Sequence, residues 1–389
     1  MLFEPYPFEK LTTLLENITP DKNYKAMTLT IGEPQFETPQ FIQDALASNA
    51  NELQKYPKTA GEIYLKEAMI AFNKKRFNIE LNLNQIIPTF GTREVLFNFP
   101  QFLLHDVKHS MMAFTNPFYQ IYEGAALATN SKVHYLNLTK ENNFKPEIDE
   151  KVLSGCDFVI LNFPNNPTAS TLSIEELGKW VRLALKYNFV LMNDECYSEI
   201  YTDLNNPPVS LLEASIAVNN LEFKNILVIN SISKRSCAPG LRSGFIAGDQ
   251  RILKEYMKYR TYIGCASPLP LQRAAAAAWL DEDHVQVSRD IYLKNFHIAK
   301  EILGTEIPNA SFYIWLEVDD ALSFTKYLYE TYNIKVLPGE FLARDKKLNH
   351  DEKNPVNPGK NYIRIALVEN EENTKESLTR IKKALNEYK

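Results

Sequence analysis

Cysteine is scarce and scattered in this chain: Cys156, Cys196, Cys237 and Cys265 form no CxxC pair and have no histidine cluster beside them at zinc-ligand spacing. Neither a disulfide framework nor a metal site is expected, and the four thiols read as reduced packing residues. No apolar run reaches the roughly 18 residues of a membrane span. The opening stretch MLFEPYPFEKLTTLLEN carries Glu4 and Glu9 and lacks the basic start and apolar core of a secretory signal. A surplus of one charge is also missing. Lys plus Arg number 43 against 48 Asp plus Glu, for a net charge of -5, which gives neither nucleic acid nor an anionic membrane a broad basic surface to meet. There is no internal repeat, and the alanine run in LPLQRAAAAAWL reads as a closely packed helix. A soluble, cytoplasmic protein with small-molecule partners is expected.

What is present is alternation. At 389 residues the chain is long enough for a large domain and a smaller lobe. Between about residues 60 and 250, helical patterns alternate with the apolar runs SMMAFTNP, KVHYLNLT, FVILNFP, FVLMND, NILVIN and GFIAG. Continuous apolarity suits strands covered on both faces, as in a sheet between helices. SIEELGKWVRLALKY is a crossover helix with Ser173 as its cap and Glu175 and Glu176 in its first turn. An α/β domain with a largely parallel sheet follows. Past residue 280 the texture changes to longer helices and then to SFYIWLEV, IKVLPG and NYIRIALV, strands of a smaller α+β domain. ARDKKLNHDEKNPVNPGKN reads as an exposed loop between two of them. The division expected is 1–45 as an N-terminal arm and part of the small domain, 46–280 as the large domain, and 281–389 as the small one.

Ligands of parallel α/β sheets gather outside the carboxyl ends of the strands, and there the polar residues are not scattered at random. NFPNNPT follows FVIL, NDECY begins at the end of FVLM, and SISKRSCAPGLRSG follows NILVIN. Alone, the last segment reads as a solvated loop capping two strands. Together the three bring a carboxylate, a tyrosine, a lysine, an arginine, two serines and several asparagines toward one crevice.

The ordered set Asn166-Pro167-Thr168, then Asp194 with Tyr197, then Ser231-Ile232-Ser233-Lys234 with Arg242 eight residues on, resembles the fold type I, class I aminotransferases that depend on pyridoxal 5'-phosphate. The resemblance extends to IGEPQFETP, YPKTAG, FGTREVLF, NPFYQIYEGAA, ASFYIWLEV, VLPGEF and YIRIALV, nearly the whole chain. It implies that Lys234 forms the imine with the cofactor aldehyde and later shuttles a proton, since a primary amine is required for both. Its amine must lie effectively below the usual value of about 10.4, which partial burial and neighbouring Arg242 would favour. Asp194 would pair with the pyridine nitrogen, and Tyr197 and Asn166 with the ring oxygen. Ser231, Ser233, Arg242, Thr92 and Arg93 would bind the phosphate, the last two at a helix N-terminus. Tyr119 would stack on the ring, and Tyr56 would reach the phosphate from a second subunit of a homodimer. Arg364 would grip the substrate α-carboxylate by a planar two-point contact, with Gly32 allowing close approach of the chain. Asn166 would also face the substrate.

One position departs from the family pattern: Ala169 stands where glycine usually follows N-P-T, so a left-handed backbone there would cost about 1 kcal/mol or more. Among the family's branches, NPFYQIYEGAA and SKRSCAPGLRSGFIAGD most resemble succinyldiaminopimelate aminotransferase, which uses glutamate as donor. Arg235, Lys58 and Arg344 are candidate partners for the distal carboxylates of its substrate. The alternatives are an aspartate, aromatic or alanine aminotransferase, a carbon-sulfur lyase on the same scaffold, or a regulatory module that binds the cofactor without turnover.

Overall fold

The computed structural model describes residues 3–345 and 357–388. Its larger sheet has seven strands in the order β2-β8-β7-β6-β5-β3-β4, namely β2 (Ile86–Thr89), β3 (Met111–Asn116), β4 (Lys132–Asn137), β5 (Phe158–Leu161), β6 (Val190–Asp194), β7 (Ile226–Ser231) and β8 (Gly244–Gly248). The pairs from β4 through β3, β5 and β6 to β7 are parallel. Strand β8 runs antiparallel to both β7 and β2, so GFIAG reverses the direction that its apolar continuity shares with its neighbours.

The continuous apolarity resolves into two faces. Val159, Leu161, Leu191 and Val228 belong to one buried cluster, and Phe158, Ile160, Met192 and Ile229 to another. Successive residues of a strand point to opposite sides, so each face needs its own apolar set. The helix Ile174–Tyr187 covers one face, begun by a capping box in which Ser173 Oγ accepts from Glu176 N at 3.2 Å. The alanine-rich helix Leu269–Leu280 buries Ala274, Ala275 and Ala278 against the helices Gln40–Ser48 and Ile63–Phe77. The small side chains permit this approach.

A second sheet orders β11 (Leu337–Pro338), β12 (Tyr362–Ala366) and β9 (Tyr313–Glu317), all antiparallel. Nearby, β1 (Met27–Thr28) pairs in parallel with β10 (Ile334–Lys335). Met27 and Leu29 lie in the same core as Phe296, Ile314, Phe324 and Ile363, which ties the start of the chain to its end. The expected polar loop falls largely on residues 346–356, outside the described residues. Among the described residues no helix is long and apolar enough to cross a membrane, and no group of His, Cys, Asp and Glu is arranged to hold a metal ion.

Candidate active site

The carboxyl ends of β5, β6 and β7 open on a cavity of about 980 Å³. Gly32, Thr92, Arg93, Tyr119, Asn166, Asp194, Tyr197, Ser231, Ser233, Lys234, Arg242 and Arg364 all line it. Of the residues expected to bind the cofactor, Tyr56 does not line it; its side chain is fully exposed. The contact assigned to Tyr56 is one that a single chain does not make.

Lys234 sits on a helical turn, Ile232–Arg235, begun by Ser231, whose hydroxyl accepts from Ser233 N at 3.1 Å. The amine of Lys234 donates to the carbonyl of Gly32. Burial pulls its proton affinity below the usual lysine value, and the charge of Arg364 acts in the same direction, against Tyr313, Cys196 and Glu33. The nearby cation responsible is thus Arg364 rather than the expected Arg242. Gly32 is required for a reason the sequence hides: a Cβ there would lie 1.7 Å from Tyr313 Oη.

Asp194 ends β6 in the interior. Its carboxylate accepts from Tyr122 Oη at 2.9 Å and from Cys196 N at 3.2 Å. Burial nonetheless raises its proton affinity, which favours a cationic or N–H partner arriving from the cavity. Asn162 Nδ2 donates to the Asp194 carbonyl at 3.0 Å, joining the ends of β5 and β6. Tyr197 Oη lies 3.0 Å from Tyr313 Oη, and burial pushes its phenol well above the ordinary value. Arg364 donates from Nη1 to Asn166 Oδ1 at 2.8 Å and from Nη2 to the Thr30 carbonyl at 2.6 Å. Its guanidinium lies 4.4 Å from the Tyr313 ring centre, and its buried Nε has no hydrogen-bond partner.

At the other end, the helix Thr92–Leu103 starts from Gly91 at φ 75°. A Cβ on Gly91 would meet Arg242 Nη2 at 2.1 Å, so the glycine makes room for the guanidinium beside the free N–H groups of the helix start. Ser231 and Ser233 hydroxyls, 2.8 Å apart, complete the cradle. Helix N–H groups, two hydroxyls and a guanidinium suit a phosphate dianion. Tyr119 accepts from Arg93 Nε at 2.9 Å.

Three cations proposed for a distal carboxylate are committed elsewhere. Arg235 is 1% exposed. It donates to the carbonyls of Ala278 at 2.6 Å and Asp281 at 2.8 Å, and pairs with Glu282. Arg344 forms a two-point pair with Glu123, at 2.9 and 2.6 Å. Lys58 pairs with Glu62 at 3.1 Å. None of the three lines the cavity. Ala169 does adopt the left-handed backbone, at φ 60°. Sequence reasoning missed Tyr122, Tyr313 and Glu33 on or behind the cavity wall. Tyr122 was readable, being three residues beyond Tyr119 in PFYQIY.

The sequence model of the family "Aminotransferase class I and II" matches residues 24–381. The chain belongs to that family. As an aminotransferase of this family it is dependent on pyridoxal 5'-phosphate, and the phosphate cradle, buried carboxylate and desolvated lysine fit that group. The structure of this aminotransferase is similar to that of aminotransferase AspB from Helicobacter pylori 26695, with 50% identity, a TM-score of 0.94 and 100% of both chains covered. It is also similar to an aminotransferase from Neisseria meningitidis Z2491, with 39% identity, a TM-score of 0.91 and 98% of each chain covered. An LL-diaminopimelate aminotransferase of Aquifex aeolicus is 27% identical over 97% of this chain and 96% of the relative.

Proposed function

We propose that this aminotransferase moves an amino group from glutamate to N-succinyl-2-amino-6-oxopimelate, a step toward diaminopimelate and lysine, in two half-reactions with ping-pong kinetics. The observation that carries the catalytic reading is the convergence of Lys234, Asp194, Tyr197, Asn166, Arg242 and Arg364 on one cavity. When bound, pyridoxal 5'-phosphate supplies an aldehyde for covalent attachment of amino groups and a ring that withdraws electrons. Arg242, Ser231, Ser233, Thr92 and the helix start would hold the phosphate, and Tyr119 would cover the ring. Asp194 would keep a proton at the ring nitrogen, while Tyr197 and Asn166 would donate to the ring oxygen. Arg364 orients the substrate through its α-carboxylate. Lys234, whose burial lowers its proton affinity, would carry the proton from and to the substrate α-carbon. The fully exposed Tyr56, with Leu53 and Tyr262 also exposed, supports a homodimer in which each copy supplies that tyrosine to the other's site. The division at about residues 45 and 280 belongs to the same reading.

The motifs NPFYQIYEGAA and SKRSCAPGLRSGFIAGD support the acceptor. The cavity of about 980 Å³ has to hold the cofactor together with the acceptor. With Lys234, Arg242 and Arg364 assigned, Arg93, which the family resemblance gives to the phosphate and whose Nε donates to Tyr119, is assigned here instead to a second carboxylate as the remaining cation on the cavity wall. A second reading, with LL-diaminopimelate itself as amino donor, is supported by the names of relatives 26–28% identical. Glu33, a carboxylate on the wall, suits a distal ammonium.

The test compares kcat/KM for the succinylated keto acid, oxaloacetate, pyruvate and phenylpyruvate with glutamate as donor, and for LL-diaminopimelate as donor. The succinylated acceptor is expected to lead; a lead for oxaloacetate favours an aspartate aminotransferase. Arg93→Gln is expected to raise KM for the succinylated acceptor about tenfold more than for pyruvate, with cofactor retention measured alongside. An equal rise for both acceptors removes Arg93 from substrate recognition.

A further inference from the structure

Behind the turn that carries Lys234, four side chains form a line that does not reach the cavity. Arg235 Nη1 donates to Ser236 Oγ over 3.4 Å. Ser236 Oγ lies 2.9 Å from His284 Nε2, and His284 Nδ1 lies 2.5 Å from Asp281 Oδ1. One set of proton positions satisfies every link of the line. A carboxylate only accepts, so Nδ1 carries the hydrogen and Nε2 is the acceptor. Ser236 then donates its hydroxyl to Nε2 and receives the guanidinium on a lone pair. The chain runs one way, from guanidinium to carboxylate, through a fully buried serine.

We propose that this relay pegs the turn Ile232–Arg235 to the junction of the helices Leu269–Leu280 and Asp283–Leu303, and that it does so while His284 is neutral, making His284 a positioning residue for Lys234. The inference rests on the assignment of Lys234 to the cofactor. Protonation at Nε2 would make the ring a donor toward Ser236, leaving the buried hydroxyl hydrogen without an acceptor, a costly state. Burial holds the proton affinity of His284 below its ordinary value. Around the ring, Asp281 favours the added charge, while Arg235 and Arg289 oppose it. Glu282 is taken up by Arg235. From the helix Gln40–Ser48, Phe41 packs edge-to-face with the ring, the ring centres 5.4 Å apart.

The experiment uses the holoenzyme, with the cofactor-bearing lysine first identified by borohydride reduction and peptide mapping. Cofactor retained after desalting, read by visible absorbance, and kcat/KM are then followed from about pH 8 down to about pH 4, across the histidine range. The wild type is expected to lose both with a midpoint below about 6.5. Asp281→Asn, which keeps an acceptor and removes the charge, is expected to move that midpoint to lower pH. His284→Gln is expected to abolish the step, and Ser236→Ala to lower kcat about tenfold. The same acid midpoint in the wild type, H284Q and D281N overturns the proposal, and D281N, at a partly exposed side chain, suffices if H284Q does not fold. A label on a lysine other than Lys234 overturns the underlying assignment instead.

Discussion

Ala169 holds φ 60° while its N–H bonds to the Asn165 carbonyl at 3.0 Å, so the turn after Asn166 keeps a left-handed shape that its side chain opposes. Ala169→Gly is expected to raise the free energy of unfolding by about 0.5–1 kcal/mol, measured by urea denaturation; a loss would mean that burial of the methyl group outweighs the strain. The convergence of Lys234, Asp194, Asn166 and Arg364 on one cavity was legible because their order and spacing are constrained together. Arg235 was not. It stands beside Lys234, yet apart from the adjacent Ser236 its partners lie 43 to 47 positions along the chain. A charge in a polar segment reads as available until the tertiary structure buries it against three distant acceptors. Gly32 is similar: the glycine was legible, but the Tyr313 hydroxyl that excludes a side chain there comes from another part of the chain.

Elements were legible where their local chemistry was complete. The helix Ile174–Tyr187 carries its own start signal, Ser173 with Glu176. Ser173→Ala is expected to cost about 1 kcal/mol of stability, read as a shift in the urea midpoint at unchanged slope, whereas a Ser173→Asp variant should retain most of it. Strand direction is a different matter. GFIAG shares the apolar continuity of its parallel neighbours, but the link from β7 contains only the turn of Lys234 and the 3-10 turn Pro239–Leu241. A parallel return needs a longer crossover, usually helical, and without one β8 comes back antiparallel. The two-residue strands β1, β10 and β11 are too short to show any period.

For the whole molecule, Glu195 shows how the fold sets a charge state. It is buried behind Asp194 and accepts from Leu211 N at 2.8 Å and from Ser210 Oγ and Asn193 Nδ2, both at 3.1 Å. Burial, opposed by these bonds, lifts its carboxyl to about 8. The native state therefore holds this proton more tightly than the unfolded chain. The stability it contributes is fully present below the ordinary carboxylate range and is lost as pH rises through about 8. Between those values the slope is up to about 1.4 kcal/mol per pH unit. Glu195→Gln should remove this component, so denaturation of the two proteins across that range should show a stability difference that moves toward the variant as pH rises; parallel curves would refute the assignment. The sequence by itself determined the α/β class, the family and the residues able to carry its chemistry, because side-chain type, order and periodicity are local properties. Tertiary structure alone decided which charges face the cavity, which are consumed in the interior, and where protons are held. Those outcomes depend on burial and on partners distant along the chain.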